Sequence, residues 1–131
     1  MSTSASFTLI DKHEPVITMY SHWDGNPEGF ALKVMDWLSG IKITNGLALD
    51  NTNIANGIEC LAAQLIAKFK TEPGNIYLYN SNMQFNLGEE YVYDIYISND
   101  DIKIAVYECK DVHTTNIFEG NVQEFIQKFG Q

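Results

Sequence analysis

The segment YSHWDGNPEG, residues 20–29, is where this sequence changes from a strand pattern to a helix pattern. Residues 16–22, which overlap its start, are rich in β-branched and aromatic side chains, and residues 7–11 form an earlier alternating run. Turn-forming residues at 12–15 separate the two runs. This arrangement predicts an antiparallel β-hairpin that leads directly into the segment.

The second half of the segment carries turn and capping residues. Asp24-Gly25 and Asn26-Pro27 are turn dipeptides. Asn26 has the side chain of a helix N-cap, Pro27 suits the first helical position, and Glu28 complements the positive end of the helix dipole. A helix is therefore predicted from Pro27 to about Ser39. Its apolar face contains Phe30, Val34 and Leu38.

A second, longer helix is predicted after a connector that contains Asn45-Gly46. Asp50 or Thr52 is expected to cap it, and Pro73-Gly74 to end it. Its apolar residues recur at the three- and four-residue spacings of an α-helix. These residues are Ile54, Ile58, Leu61, Leu65, Ile66 and Phe69. Gly57 inside the same stretch weakens the helix by about 1 kcal/mol relative to alanine.

The remaining part of the chain reads as strands followed by one helix. Strands are predicted at 75–80, 91–98 and 102–109, and a tight turn at 99–101 joins the last two. A final helix is predicted at 121–129. The apolar face of the hairpin contains Tyr91, Tyr93, Ile95, Ile97, Ile102, Ile104 and Val106.

The predicted order of elements, β-β-α-α-β-β-β-α, indicates an α+β fold. We expect a mostly antiparallel sheet of about five strands with the helices packed on one face. The other face would then be open to a ligand or a partner. The chain has 131 residues, 45% of them hydrophobic, and shows no internal boundary, so residues 1–131 are predicted to form a single domain.

Charge limits the possible functions. The formal net charge is −9, and all eight basic residues are lysines. A protein that follows a nucleic-acid backbone needs a positive surface, so direct nucleic-acid binding is not expected. Without arginine, a bidentate grip on phosphate is not available either. No apolar run approaches the roughly 20 residues of a membrane span, and no secretory signal is recognised, so we expect no membrane association and a cytoplasmic location.

The opening segment has both a structural and a functional interpretation. In the first, it is a turn between a strand and a helix. In the second, Trp23 stacks on a base, backbone amides of the helix start face an anion, and the polar side chains bind hydroxyl groups or base edges. The predicted ligand-binding residues are His22, Trp23, Asp24, Gly25, Asn26, Glu28 and Gly29.

Catalytic, metal and cofactor assignments have weaker support. His22 and Asp24 supply two ligands, which is too few for a metal site. His113-Thr114-Thr115 matches one element of two-histidine phosphoesterases, but no second element of that kind is present. No nucleophile context is recognisable around a serine or cysteine. We therefore predict no catalytic residues, no metal and no cofactor, and two free, buried thiols at Cys60 and Cys109.

The block Tyr20-Ser21-His22-Trp23-Asp24-Gly25, followed by Pro27-Glu28-Gly29, resembles a group of small phage and prophage proteins with the pattern Y-x-H-W-D-G-Y-P. Segments 90–93 and 117–125 resemble the terminal hairpin and closing helix of that group. This chain has Asn26 where the group usually has Tyr, and it lacks the Arg of the group's M-x-T-R start. The resemblance implies a phage origin and expression in the bacterial cytoplasm. It implies no catalytic role.

Three hypotheses follow from these observations. The first is a non-enzymatic phage counter-defence protein that sequesters a small nucleotide-type signal and forms a homo-oligomer. The second is an acidic inhibitor that blocks a nucleic-acid-binding defence protein of the host. Its predicted contacts are Glu89, Glu90, Asp94, Asp100 and Asp101, and the alternative interpretation of these residues is an ordinary solvated, acidic surface. The third is a small phosphodiesterase that uses His22 and His113.

Overall fold

Residues 3–44 and 53–130 are described by a computed structural model of the chain. Their strands are β1 (Ala5–Asp11), β2 (Glu14–Ser21), β3 (Lys42–Ile43), β4 (Ile54–Ala55), β5 (Ile76–Tyr79), β6 (Tyr91–Ser98), β7 (Asp101–Lys110) and β8 (His113–Asn121). Their helices are α1 (Phe30–Leu38), α2 (Gly57–Phe69) and α3 (Val122–Phe129), with a short 3₁₀ turn at Ser81–Met83. None of these helices is long and apolar enough to cross a membrane.

The main sheet has six strands in the order β5-β2-β1-β6-β7-β8. Every neighbouring pair is antiparallel except β1 and β6, which run parallel at the centre of the sheet. The predicted α+β class, the mostly antiparallel sheet and the helices on one face are confirmed. We call the opposite face of the sheet the open face.

The sixth strand, β8, was not predicted. It is an edge strand, and its first four residues, His113–Asn116, are exposed on both faces. The alternation of apolar and polar residues that reveals a half-buried strand is therefore missing here.

The core lies between the sheet and the three helices. Phe7 and Leu9 of β1 and Ile95 of β6 are fully buried, together with Leu61 and Leu65 of α2. Five of the seven residues assigned to the apolar face of the β6–β7 hairpin are at most 3% exposed. These are Tyr93, Ile95, Ile102, Ile104 and Val106. The hairpin turn itself consists of Asn99 and Asp100, both with positive φ, which is the geometry of a two-residue primed turn.

The predicted starts of the first two helices were wrong. Helix α1 begins at Phe30 with Gly29 as N-cap, and the carbonyl of Asn26 instead accepts from the amide of Gly29 in a separate turn. Helix α2 begins at Gly57, whose φ is +85°, so Gly57 is not in the helix interior. Ile54 lies in β4, where it pairs with Lys42 of β3. The predicted caps Asp50 and Thr52 and the connector Asn45-Gly46 lie outside the described residues.

The last helix agrees with its prediction at both ends. The Asn121 side chain accepts from the amide of Glu124, and the Glu124 carboxylate accepts from the amide of Asn121. This reciprocal capping box sets the first turn of α3. Phe125 of this helix is fully buried, and its ring packs against Phe118 of β8.

Tyr93 links β6 to two other parts of the chain. Its ring stacks on Phe7 of β1 at 4.6 Å between centroids, and its hydroxyl donates to the carbonyl of Gly25 at 2.7 Å.

We expect Tyr93→Phe to keep the ring stack and to lower the free energy of unfolding by about 1–2 kcal/mol, because the buried Gly25 carbonyl loses its partner. Urea unfolding measures this change.

Tyr96→Phe serves as the matched control. The Tyr96 hydroxyl donates to Glu119 at 2.9 Å at an exposed position. Its removal should therefore lower the free energy of unfolding by less than Tyr93→Phe does. Equal stability of Tyr93→Phe and the unsubstituted protein would show that the buried bond contributes nothing.

Candidate functional site

The segment 22–29 forms a tight connection between β2 and α1. The amide of Gly25 donates to the Thr3 carbonyl at 2.8 Å, and the amide of Phe30 donates to the Asp24 carbonyl at 2.7 Å. The Ser21 hydroxyl donates to the carbonyl of Trp23 at 3.0 Å. The segment is therefore held by bonds to the residue Thr3, which precedes β1, and to the start of the helix.

The two glycines of this segment are required by close packing of the backbone. A Cβ atom on Gly25 would lie 2.6 Å from the Cβ of Ala5, and one on Gly29 would lie 2.5 Å from the Asp24 carbonyl. Their amides donate to Thr3 and Asn26. The expectation that the amides of Gly25, Glu28 and Gly29 face a bound anion was wrong for the two glycines, because their amides already donate to the chain's own carbonyls. For Glu28 it stays a prediction.

The seven predicted ligand-binding residues do not form one site. His22 and Trp23 line a groove at the β5 edge of the sheet. Asp24, Glu28 and Gly29 line a different depression beside Leu32 and Ile126, whereas Asn26 lies with Tyr91 and Glu108 in a third. Gly25 is buried. Of the seven, His22 and Trp23 therefore share the groove at the β5 edge, and Asp24, Glu28 and Gly29 lie apart from them in another depression.

We call the first of these depressions the aromatic groove. It has a volume of about 360 Å³ and is lined by Tyr20, His22, Trp23, Gly74, Tyr77, Tyr79 and Leu87. The Tyr20 ring is central, with centroid distances of 6.0 Å to His22, 6.3 Å to Tyr77 and 6.0 Å to Tyr79. His22 and Trp23 meet edge to face at 5.3 Å. Five aromatic rings thus surround one opening.

Strand pairing accounts for this convergence. In the antiparallel register of β2 and β5, Tyr20 lies opposite Tyr77 and Thr18 lies opposite Tyr79. Residues two apart in a strand share a face, so all three tyrosines lie on the open face. His22 follows β2 directly, and the distance between its Nδ1 and the Tyr20 hydroxyl oxygen is 3.1 Å, a hydrogen bond that orients the imidazole.

The groove leaves large aromatic surfaces in contact with water. The side chain of Trp23 is 52% exposed and that of Tyr77 is 46% exposed. The open face also includes buried hydroxyl residues, and the Oγ atoms of Thr8 and Thr18 lie 2.8 Å apart in a hydrogen bond. Exposed aromatic residues beside a well-packed sheet are typical of a binding surface rather than a core.

Residues 80–90, which we call the crossing loop, pass over the open face from β5 to β6. Glu89 holds this loop in place, because its buried carboxylate accepts from the amides of Phe85 at 2.9 Å and Leu87 at 2.8 Å. Gln84 donates to the Asp94 carboxylate. The Leu87 end of the loop borders the aromatic groove.

The five carboxylates assigned to a protein interface are dispersed. Glu89 is buried by its role in the crossing loop, and Asp94 is half-buried beneath Gln84. Glu90 is exposed at the start of β6, whereas Asp100 and Asp101 are exposed at the turn that follows the other end of that strand. They therefore do not form one continuous acidic patch.

A second groove lies on the open face beyond the crossing loop. It has a volume of about 460 Å³, and its polar lining includes Asp94, Tyr96, Tyr107 and Glu119. Burial, with a contribution from the charge of Glu119, raises the pKa of Asp94 to about 6, and the bond from Gln84 partly offsets this increase. Burial and the bond to Glu119 raise the pKa of Tyr96 to about 12.

The histidines are not arranged as a two-histidine phosphoesterase site requires. His22 follows β2 and His113 begins β8, and three strands lie between these two. At the usual strand spacing, this places them about 19 Å apart across the sheet. Within residues 3–44 and 53–130, no three His, Cys, Asp or Glu side chains come together as metal ligands. Cys60 and Cys109 are free thiols, but each is half-buried rather than fully buried.

Comparison with known proteins gives no assignment. No family model, no curated protein and no solved structure matches this chain. Function must therefore be inferred from the residues and their arrangement.

Sequence reasoning identified His22 and Trp23 but missed the three tyrosines of the aromatic groove as members of the same site. The alternation of Tyr77 and Tyr79 in the sequence NIYLYN shows that they share a face of a strand. It does not show that this strand pairs with β2. The partner strand is separated by more than fifty residues, and only the pairing places Tyr20 between them.

The raised pKa of Asp94 predicts that the stability of the protein depends on pH. Its pKa is higher in the folded protein than in the unfolded chain, so the folded state binds more protons between about pH 4 and pH 6. Stability should then fall as the pH rises through this window. Asp94→Asn removes the ionised group and should stabilise the protein by about 1 kcal/mol at pH 7.5, with no gain at pH 4, after allowance for partial solvent screening.

Urea unfolding of both proteins from pH 4 to pH 8 measures this dependence. Glu72→Gln, at an exposed carboxylate, is the charge-matched control. It should not show a gain in stability that appears only above pH 6. If the difference in free energy of unfolding between Asp94→Asn and the unsubstituted protein were the same at every pH, the raised pKa of Asp94 would be contradicted.

Proposed function

We propose that this protein binds a small, flat, nucleotide-type molecule in the aromatic groove and sequesters it without changing it chemically. The observation that supports this proposal is the convergence of Tyr20, His22, Trp23, Tyr77 and Tyr79 around one opening. Aromatic side chains stack on any base, because every base presents a flat π surface. Each such contact contributes about 1–3 kcal/mol.

The groove has the properties of a binding site more than those of a reaction site. Its polar side-chain groups are phenol hydroxyls, the indole N–H of Trp23 and one imidazole, which is already hydrogen-bonded to Tyr20. An oxyanion site, an activated nucleophile or a carboxylate pair is not found among its described lining residues. The Tyr and His side chains are suited to hydrogen bonds with ribose hydroxyls or base edges.

The biological setting of the proposal comes from the resemblance to small phage proteins. In that setting, sequestration in the bacterial cytoplasm removes a signal molecule on which a host defence system depends. The homo-oligomer remains part of the proposal. Strand β5 is an edge strand and borders the groove, so a second copy that paired with its free edge would lie beside the ligand. Light scattering with and without ligand measures the oligomeric state.

The alternative of an acidic inhibitor has only the overall charge in its favour. Its five residues are dispersed, and Glu89 has a structural role in the crossing loop. The phosphodiesterase alternative lacks two histidines in proximity. Neither alternative has a specific observation to support it.

Thermal melting with a panel of cyclic nucleotides, linear nucleotides and ADP-ribose derivatives tests the proposal. A ligand present at 100 times its dissociation constant should stabilise the fold by about 2.7 kcal/mol. Trp23→Ala and Tyr77→Ala should each weaken binding about 10-fold or more, because each removes one stacking surface. The ligand should be recovered intact after the complex is denatured.

Phe85→Ala is the matched control for these variants. Phe85 is also an exposed aromatic residue, at 44%, but its ring packs on Tyr107 outside the groove. Its replacement should leave ligand affinity unchanged. The proposal fails if no compound of the panel shifts the melting temperature, or if the recovered compound has been converted to a product.

A further inference from the structure

The charges around the aromatic groove limit the number of phosphate groups that its ligand can carry. Among the described residues that line the groove, none is a lysine or a carboxylate. The sequence contains no arginine, so the bidentate guanidinium contact to phosphate cannot form in this chain. The base-stacking surface is therefore large, while the means of neutralising a ligand's negative charge are few.

Lys70 is not a lining residue of the groove, but its ammonium group lies beside one of the groove's rings, that of Tyr77. It follows the last residue of α2, and its Nζ atom lies 5.8 Å from the centroid of the Tyr77 ring. The same ammonium group donates to the carbonyl of Ile76 at 2.8 Å, which fixes the side chain at the β5 edge. An ammonium group has three N–H donors, and the bond to Ile76 uses one of them.

The remaining charge of the protein opposes a polyphosphate. At a net charge of −9, each additional phosphate increases the repulsion between ligand and protein. One phosphate near Lys70 forms an ion pair with its ammonium group. A second and a third phosphate find no further lysine among the described lining residues of the groove.

We propose that the aromatic groove takes a nucleoside with at most one phosphate group, and that Lys70 is the partner of that phosphate. This inference rests on the proposed function, because it requires that the groove binds a base. It adds a charge preference that base stacking alone does not produce, since stacking is the same for a nucleoside and its triphosphate.

Isothermal titration with two matched series, adenosine, AMP and ATP, and guanosine, GMP and GTP, tests the inference on the unsubstituted protein. In at least one series, the monophosphate should bind more tightly than the nucleoside, and the triphosphate at least 10-fold more weakly than the monophosphate. Raising the salt concentration should reduce the difference between mono- and triphosphate, because that difference arises from charge repulsion.

Lys70→Gln tests the residue itself. It should remove the advantage of the monophosphate over the nucleoside, so that the two ligands bind with equal affinity. Lys68→Gln removes the same charge from an exposed position two residues earlier, and it should have little effect on either ligand. Melting curves of both variants establish that they are folded.

The possible failures are distinguishable. Triphosphates that bind as tightly as monophosphates, or equal effects of Lys70→Gln and Lys68→Gln, overturn the charge preference while the proposed function stands. If no member of either series binds and the wider nucleotide panel also fails, both the inference and the proposed function are wrong. If only a polyphosphate or dinucleotide from the wider panel binds, the inference is wrong and the proposed function stands.

Discussion

The stacking of Tyr93 on Phe7 is the contact on which the rest of this structure depends. The two rings lie almost parallel, 4.6 Å apart, at the junction of β1 and β6. This is the parallel pair that joins the β1–β2–β5 half of the sheet to the β6–β7–β8 half. The hydroxyl of Tyr93 then bonds to Gly25. One side chain thus connects the centre of the sheet with the segment that carries His22 and Trp23.

The two faces of the sheet have different roles. Helices cover one face with apolar contacts, as the buried Leu61, Leu65 and Phe125 show. The open face is crossed by a loop held mainly through polar contacts, in which the buried carboxylate of Glu89 accepts from two backbone amides. Because the loop covers only part of the face, it leaves a groove on each side, one rich in aromatic rings and one containing Asp94 and Glu119.

Local patterns predicted the fold well where a strand or helix is half-buried. The β6–β7 hairpin and α3 were located correctly because their apolar residues recur at the period of the element. The start of α1 was misplaced because Asn26-Pro27 satisfies the rules for a helix cap, whereas the chain uses these residues for a separate turn that ends at Gly29. Strand β8 was missed because an exposed edge strand has no apolar face. The aromatic groove could be predicted only in part, since Tyr20 and Tyr77 meet through a strand pairing that no local pattern encodes.

The two tryptophans of this chain occupy different environments, and this difference has a spectroscopic consequence. Trp23 is half in water at the rim of the aromatic groove, whereas Trp37 packs edge to face against Phe69 at 5.9 Å. The indole fluorescence of Trp23 should be emitted at longer wavelength than that of Trp37, because water relaxes around its excited state. Quenching confined to the long-wavelength component then reports occupation of the groove, and a shift of the short-wavelength component reports unfolding. Trp23 therefore reports on the groove, and Trp37, which is partly buried against the core, reports on the packing of α1.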